Sequence, residues 1–188
     1  VNLIFGQKVN SINFDDVNNC WKVTANSKKN SFNYQAKDLI YTAPPQSLLK
    51  HLKDPLKRKQ RYKNRLYNLP DPSGALVFYS ALKKEHLKKT FSNHYQFVSK
   101  EFGSLFVSIS DDGDGRAPKG EVTLIASIFT RTKDWIDLDK QTYLKKKKDF
   151  MKKISYELEN QFDIDPENWL HRELATPLGF EKWTNRPN

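Results

Sequence analysis

The chain has 188 residues, a formal net charge of +10 and an aromatic content of 13%, which suits one domain and little more and excludes a disordered composition. No apolar run approaches the ~18–20 residues a membrane-spanning helix needs, and Val1–Phe5 passes at once into polar residues, unlike a secretory leader. The single Cys20 excludes a disulfide framework and a Cys-based zinc cluster, and His51, His86, His94 and His171 are too scattered to support a catalytic zinc site.

Val1–Ile12 reads as strand, with Val9 and Ile12 as buried anchors, and Trp21–Ala25 and Phe32–Gln35 continue as short strands between polar turns. Ala36–Thr42 reads as a further apolar strand ending at Ala43-Pro44-Pro45. The prolines can open a helix over Gln46–Leu52, and Pro55 restarts a basic helix through about Tyr67. Pro70–Gly74 breaks the chain, and four strands follow: Gly74–Leu82, Asn93–Ser99, Ser104–Ser110 and Glu121–Phe129. Their short spacings favour antiparallel neighbours. Asp139 is the predicted N-cap of a helix to Phe162, marked by a stripe through Tyr143, Phe150, Ile154 and Leu158. Pro166–Asn188 mixes aromatic residues and prolines without a clear period. This order predicts an α+β fold: an antiparallel sheet with packed helices.

Ser110–Glu121 has partial calcium-loop spacing, with Asp112, Asp114, Gly115 and Glu121 at four of the required positions. It begins with Ser rather than Asp and is flanked by strands, which favours a solvated hairpin loop. His94 could serve as an acid or base, but no partner stands at a triad spacing, and a structural histidine fits better. The basic residues are 25 Lys and only 7 Arg, which weighs against nucleic acid as a partner because Arg makes the bidentate base and phosphate contacts. Lys145–Lys148 and Lys152–Lys153 lie opposite the apolar stripe of their helix, a pattern shared by membrane-surface helices and by ordinary core helices with a solvated face. No phosphate-binding glycine loop is present.

Ser104–Trp135, with LFVS, then DGDGRAPKG, IAS and FT, resembles the signature stretch of the phytoene desaturase and carotenoid isomerase family, most closely its cyanobacterial C-3',4' carotenoid desaturase branch. Four further pieces fall in the family's order: VNLIFGQKVNSI and AKDLIYTAPPQSLL resemble strands of its FAD domain, LPDPSGALVFYSAL its entry to the substrate domain, and ELATPLGFEKWTNRP a late segment. The resemblance implies residues 1–45 as the edge of an FAD-binding domain and 46–188 as a substrate-binding domain, together an internal piece of a longer enzyme. It implies FAD as the cofactor of the whole protein, with Val9 at a position that touches adenine through its backbone. The dinucleotide fingerprint is absent here, so the piece alone is expected to hold no FAD and to be inactive. A carotenoid polyene is the implied substrate, undergoing hydride transfer to flavin or cis-trans isomerisation. Tyr79, His94, Tyr95, Phe97 and Phe129 are the candidate lining residues, and Phe78 and Phe106 are further strand aromatics that could line the same tunnel. A lipid-dissolved substrate implies the cytoplasmic side of a thylakoid or plasma membrane, with peripheral contact through the basic helix. The alternative is a non-catalytic basic module docking on anionic membrane or nucleic acid.

Overall fold

A computed structural model describes residues 2–53, 60–70, 73–89 and 92–184. The fold is α+β, and every pairing between its strands is antiparallel. The chain divides into two compact units, residues 1–70 and 71–186.

In the first unit, β1 (Lys8–Asp15), β2 (Cys20–Asn26) and β3 (Ser31–Ala36) form a meander in that order. The β1–β2 turn is tied by Asp15, whose carboxylate accepts from the amides of Val17 and Asn18 and lies 2.6 Å from Lys22 Nζ. Lys22 and Asn18 hold that carboxyl well below the usual carboxylate range. Ile12 is buried as expected, but Val9 is exposed: a register irregularity between Val9 and Ser11 breaks the alternation. The expected strand at Ala36–Thr42 does not form beyond Ala36, and Ile40 is exposed. A strand exists through its pairing, and no described strand lies beside this segment.

Helix α1 (Pro45–His51) begins with Pro45 in its first turn, where the missing N–H costs no hydrogen bond. It leads into Leu52, which bridges to Ile12, and the Lys53 amide donates to the Ile12 carbonyl at 3.1 Å. These links tie the helix to β1 within the first unit. Helix α2 (Gln60–Tyr67) completes the unit; the rest of the predicted Pro55–Tyr67 helix lies outside the described residues.

The second unit is built on five strands: β4 (Ser73–Lys83), β5 (His94–Ser99), β6 (Gly103–Ile109), β7 (Glu121–Arg131) and β8 (Trp169–Ala175), in the order β5-β6-β7-β4-β8. One face carries Leu76, Phe78 and Leu82 of β4, Leu105 and Val107 of β6, and Val122, Leu124 and Ile128 of β7, all buried. The long helix α4 (Lys140–Phe162) covers it, contributing Ile154, Leu158 and Phe162 at helical spacing to one continuous core. Asp139 caps the helix, accepting from the amides of Gln141 and Thr142 at 2.9 and 3.1 Å. At the other end Asp163 adopts a left-handed conformation with φ 56°, and the Ile164 amide donates back to the Glu159 carbonyl.

Two short helices, α3 (Lys133–Ile136) and α5 (Pro177–Thr184), close one end of the sheet. Gly74 permits the start of α5 to approach: a Cβ there would stand 2.8 Å from Pro177 Cγ. Strand β8 has no signature in the sequence, because only Leu174 among its residues is buried; its hydrogen bonds to β4 define it.

Candidate functional site

The opposite face of the second unit's sheet follows from register, since residues directly paired across antiparallel strands share a face. One row runs Gln96, Phe106, Ser127, Val77, Ala175, and the next runs His94, Ser108, Ile125, Tyr79, Glu173. Phe129 and Ala75 pair in a third row. Phe106, Ile125, Val77 and Tyr79 stand on the three inner strands with Ser108 and Ser127 among them, and Gln96, His94 and Glu173 stand at the margins. Among the described residues no helix of this unit covers this face: Phe129 is 79% exposed, Phe106 44% and Tyr79 38%. A shallow hollow of ≈ 340 Å³ opens there, lined by Ala75, Gln96, Ser104, Phe106, Ser127 and Phe129. The His94 ring stacks on Phe106 with centroids 6.0 Å apart, and Gln96 Nε2 donates to Ser104 Oγ at 2.9 Å.

This register divides the five candidate lining residues. Tyr79, His94 and Phe129 lie on the open face. Tyr95 and Phe97 lie on the covered face, where their rings meet the edge of Phe162 at 5.1 and 5.7 Å. Those two are core residues, because strand alternation sends odd and even positions of β5 to opposite sides. Phe106 also belongs to the open face, as its alternation with the buried Leu105 and Val107 implies, whereas Phe78 is buried in the core beneath the sheet. Ser127, Val77 and Ile125 join Phe106 through register alone. The inner strands bring the hydroxyls of Ser108, Ser127 and Tyr79 to this face among its aromatic and aliphatic side chains, and His94 and Glu173 stand at its rim, an arrangement that can bind and orient a largely apolar ligand.

Val9 lies on β1, an edge strand of the first unit, and is 36% exposed. Edge-strand backbone beside the irregularity at Val9 could meet the rim of a flat heterocycle. A diphosphate needs more: the glycine turn at a helix N-terminus and an acid for the ribose, and the sequence has no GxGxxG. The residues present fit only the adenine end of FAD, not the whole cofactor.

The Asp-rich loop turns its carboxylates inward. Asp114 accepts from the amides of Asp111 and Arg116, Asp112 from the Gly120 amide, and Asp111 from Asn93 Nδ2. Arg116 holds the Asp114 carboxyl below its ordinary value. Among the described residues no group of three or more His, Cys, Asp and Glu could hold a metal ion.

A Ser–Tyr–His cluster in the first unit was not legible from spacing. Tyr41 Oη lies 2.6 Å from Ser47 Oγ and 3.2 Å from His51 Nδ1. The Ser47 hydroxyl donates to the Pro44 carbonyl at 2.6 Å, so its proton serves the helix start and not a base. The cluster pins residue 41 to α1.

Compared with known proteins, the chain matches no family model and no curated sequence.

Proposed function

We propose that the second unit is the substrate-binding part of an FAD-dependent carotenoid desaturase or carotene isomerase, and that its open sheet face receives part of the polyene. The observation that carries this reading is the group of exposed rings on that face, Phe106, Phe129 and Tyr79, flanked by His94 and Gln96 on one side and Glu173 on the other. The resemblance of Ser104–Trp135 to the desaturase signature supports it, and this stretch includes β7, whose Ile125, Ser127 and Phe129 run through the centre of the face.

The patch spans three strands, β6, β7 and β4, and runs from Ile125 through Ser127 to Phe129, about 10 by 14 Å. It would contact a section of a long polyene and leave the remainder to other surfaces of the enzyme. Each 100 Å² of polyene surface removed from water contributes about 2.5 kcal/mol. The exposed Phe129 ring can also stabilise positive charge on a neighbouring carbon chain. The flavin would supply the hydride chemistry in the whole enzyme. This chain's share is to bind the polyene, exclude water and fix which carbons are presented.

The test is quenching of the protein's intrinsic fluorescence by a detergent-dispersed carotenoid. The reading predicts binding by the chain and at least a tenfold loss in the double variant Phe106→Ser, Phe129→Ser. Undiminished binding by that variant would count against the face, and no binding by the parent chain would count against the substrate class. Sequencing upstream of Val1 tests the cofactor: the reading requires a GxGxxG turn there.

A further inference from the structure

We infer that the solvent face of α4 is a docking surface for an anionic lipid bilayer, centred on Lys145, Lys148 and Lys152. These lie at i, i+3 and i+7, within an arc of about 60° at 3.6 residues per turn. All three are exposed, and none has a carboxylate partner among the described residues. The structure separates them from the neighbouring lysines. Lys146 is committed to the Asp134 carbonyl and the Trp135 ring, and Lys153 pairs with Glu101. Lys147 lies outside the arc and is only half-exposed, so Lys145, Lys148 and Lys152 are the exposed lysines that share this line of the helix.

Two exposed apolar side chains flank the same arc: Leu144, 52% exposed, and Tyr156, 67% exposed. Cations interleaved with an aliphatic and an amphipathic aromatic side chain suit the headgroup–acyl boundary of a membrane. No arginine stands in α4, so the bidentate phosphate and base contacts that favour nucleic acid are missing. Lysine is a point charge and asks only for a diffuse negative surface. Asp149 is the one opposing charge close to the arc and weakens the attraction without reversing it.

A lysine close to an anionic surface strengthens partition about fivefold, so the three together are worth about a hundredfold at low salt. Attraction should fall as the Debye length shrinks. The inference does not rest on the polyene reading, and either can fail alone.

The experiment is sedimentation of the full chain with vesicles of 7:3 phosphatidylcholine to phosphatidylglycerol and with phosphatidylcholine alone. Two variants of equal charge change are compared: Lys145→Gln, Lys148→Gln, Lys152→Gln on α4, and Lys8→Gln, Lys28→Gln, Lys29→Gln in the first unit. The full chain should bind the anionic vesicles and not the neutral ones. The α4 variant should lose at least tenfold, the control less than threefold, and the replacement of the same three α4 lysines by arginine should retain binding. Equal losses in the two glutamine variants would mean net charge alone acts, and overturn the site. So would failure of the parent chain or the arginine variant to bind, or duplex DNA displacing the chain from the vesicles.

Discussion

The Lys146 ammonium stands 4.7 Å from the centroid of the Trp135 ring and donates to the Asp134 carbonyl at 2.6 Å. Trp135 is fully buried, its Nε1 donates to Thr130 Oγ1 at 3.0 Å, and the Phe150 ring meets it at 5.3 Å. One lysine within a run of four is thus a structural residue, fastening α4 to the end of β7 through α3.

Lys146→Met should therefore lower unfolding stability by about 1–2 kcal/mol, from the lost cation–π contact and the unpaired carbonyl. Lys145→Met, one position away and exposed, should stay within about 0.5 kcal/mol. Urea unfolding of the two variants checks the contrast; equal effects would remove the assigned role.

The two faces of the second unit's sheet should respond oppositely to truncation. Phe162→Ala empties a core position that is 1% exposed and packed by Tyr95 and Phe97, and should cost about 3–5 kcal/mol. Phe129→Ser removes a ring that is 79% exposed and should change stability by no more than about 0.5 kcal/mol. Thermal melts of both, read beside carotenoid quenching, separate core from ligand surface.

The capping carboxylate of Asp139 gives a pH signature. The Thr142 hydroxyl and the amides of Thr142 and Gln141 favour its ionised form and lower its pKa from 3.8. A group with a depressed folded pKa contributes stability above its unfolded value, and that contribution is lost as pH falls through the folded value. Asp139→Ala should lower the melting temperature by roughly 4 °C at pH 7. The gap should be constant above about pH 5 and close below 3.8. A gap that does not narrow as the pH falls below 3.8 would contradict the assignment.

At the far end of α4, Asp163 holds φ 56° and ψ 49°, where a Cβ is strained and glycine is not. Asp163→Gly should stabilise the protein by about 0.5–1 kcal/mol, read as a higher urea midpoint at unchanged slope. The Ile164 amide keeps its bond to the Glu159 carbonyl in the variant.

Local sequence determined the elements whose signals are local. Asp139 marks the start of α4 because a carboxylate there satisfies orphan amides within three residues. The alternation in β4, β6 and β7 marks strands because neighbouring side chains must leave on opposite sides. What it could not decide was which side would be covered. In GALVFYSAL both phases are apolar, Leu76, Phe78 and Leu82 in one and Val77 and Tyr79 in the other; α4, arriving sixty residues later, buries the first and leaves the second open. For the same reason Tyr95 and Phe97 could not be told from lining residues until Phe162 stood between them. Strand β8 and the unpaired segment after Ala36 are the two sides of one rule. A strand is fixed by the hydrogen-bonding partner that distant sequence brings beside it: β4 accepts Trp169–Ala175, and no described strand accepts residues 37–42.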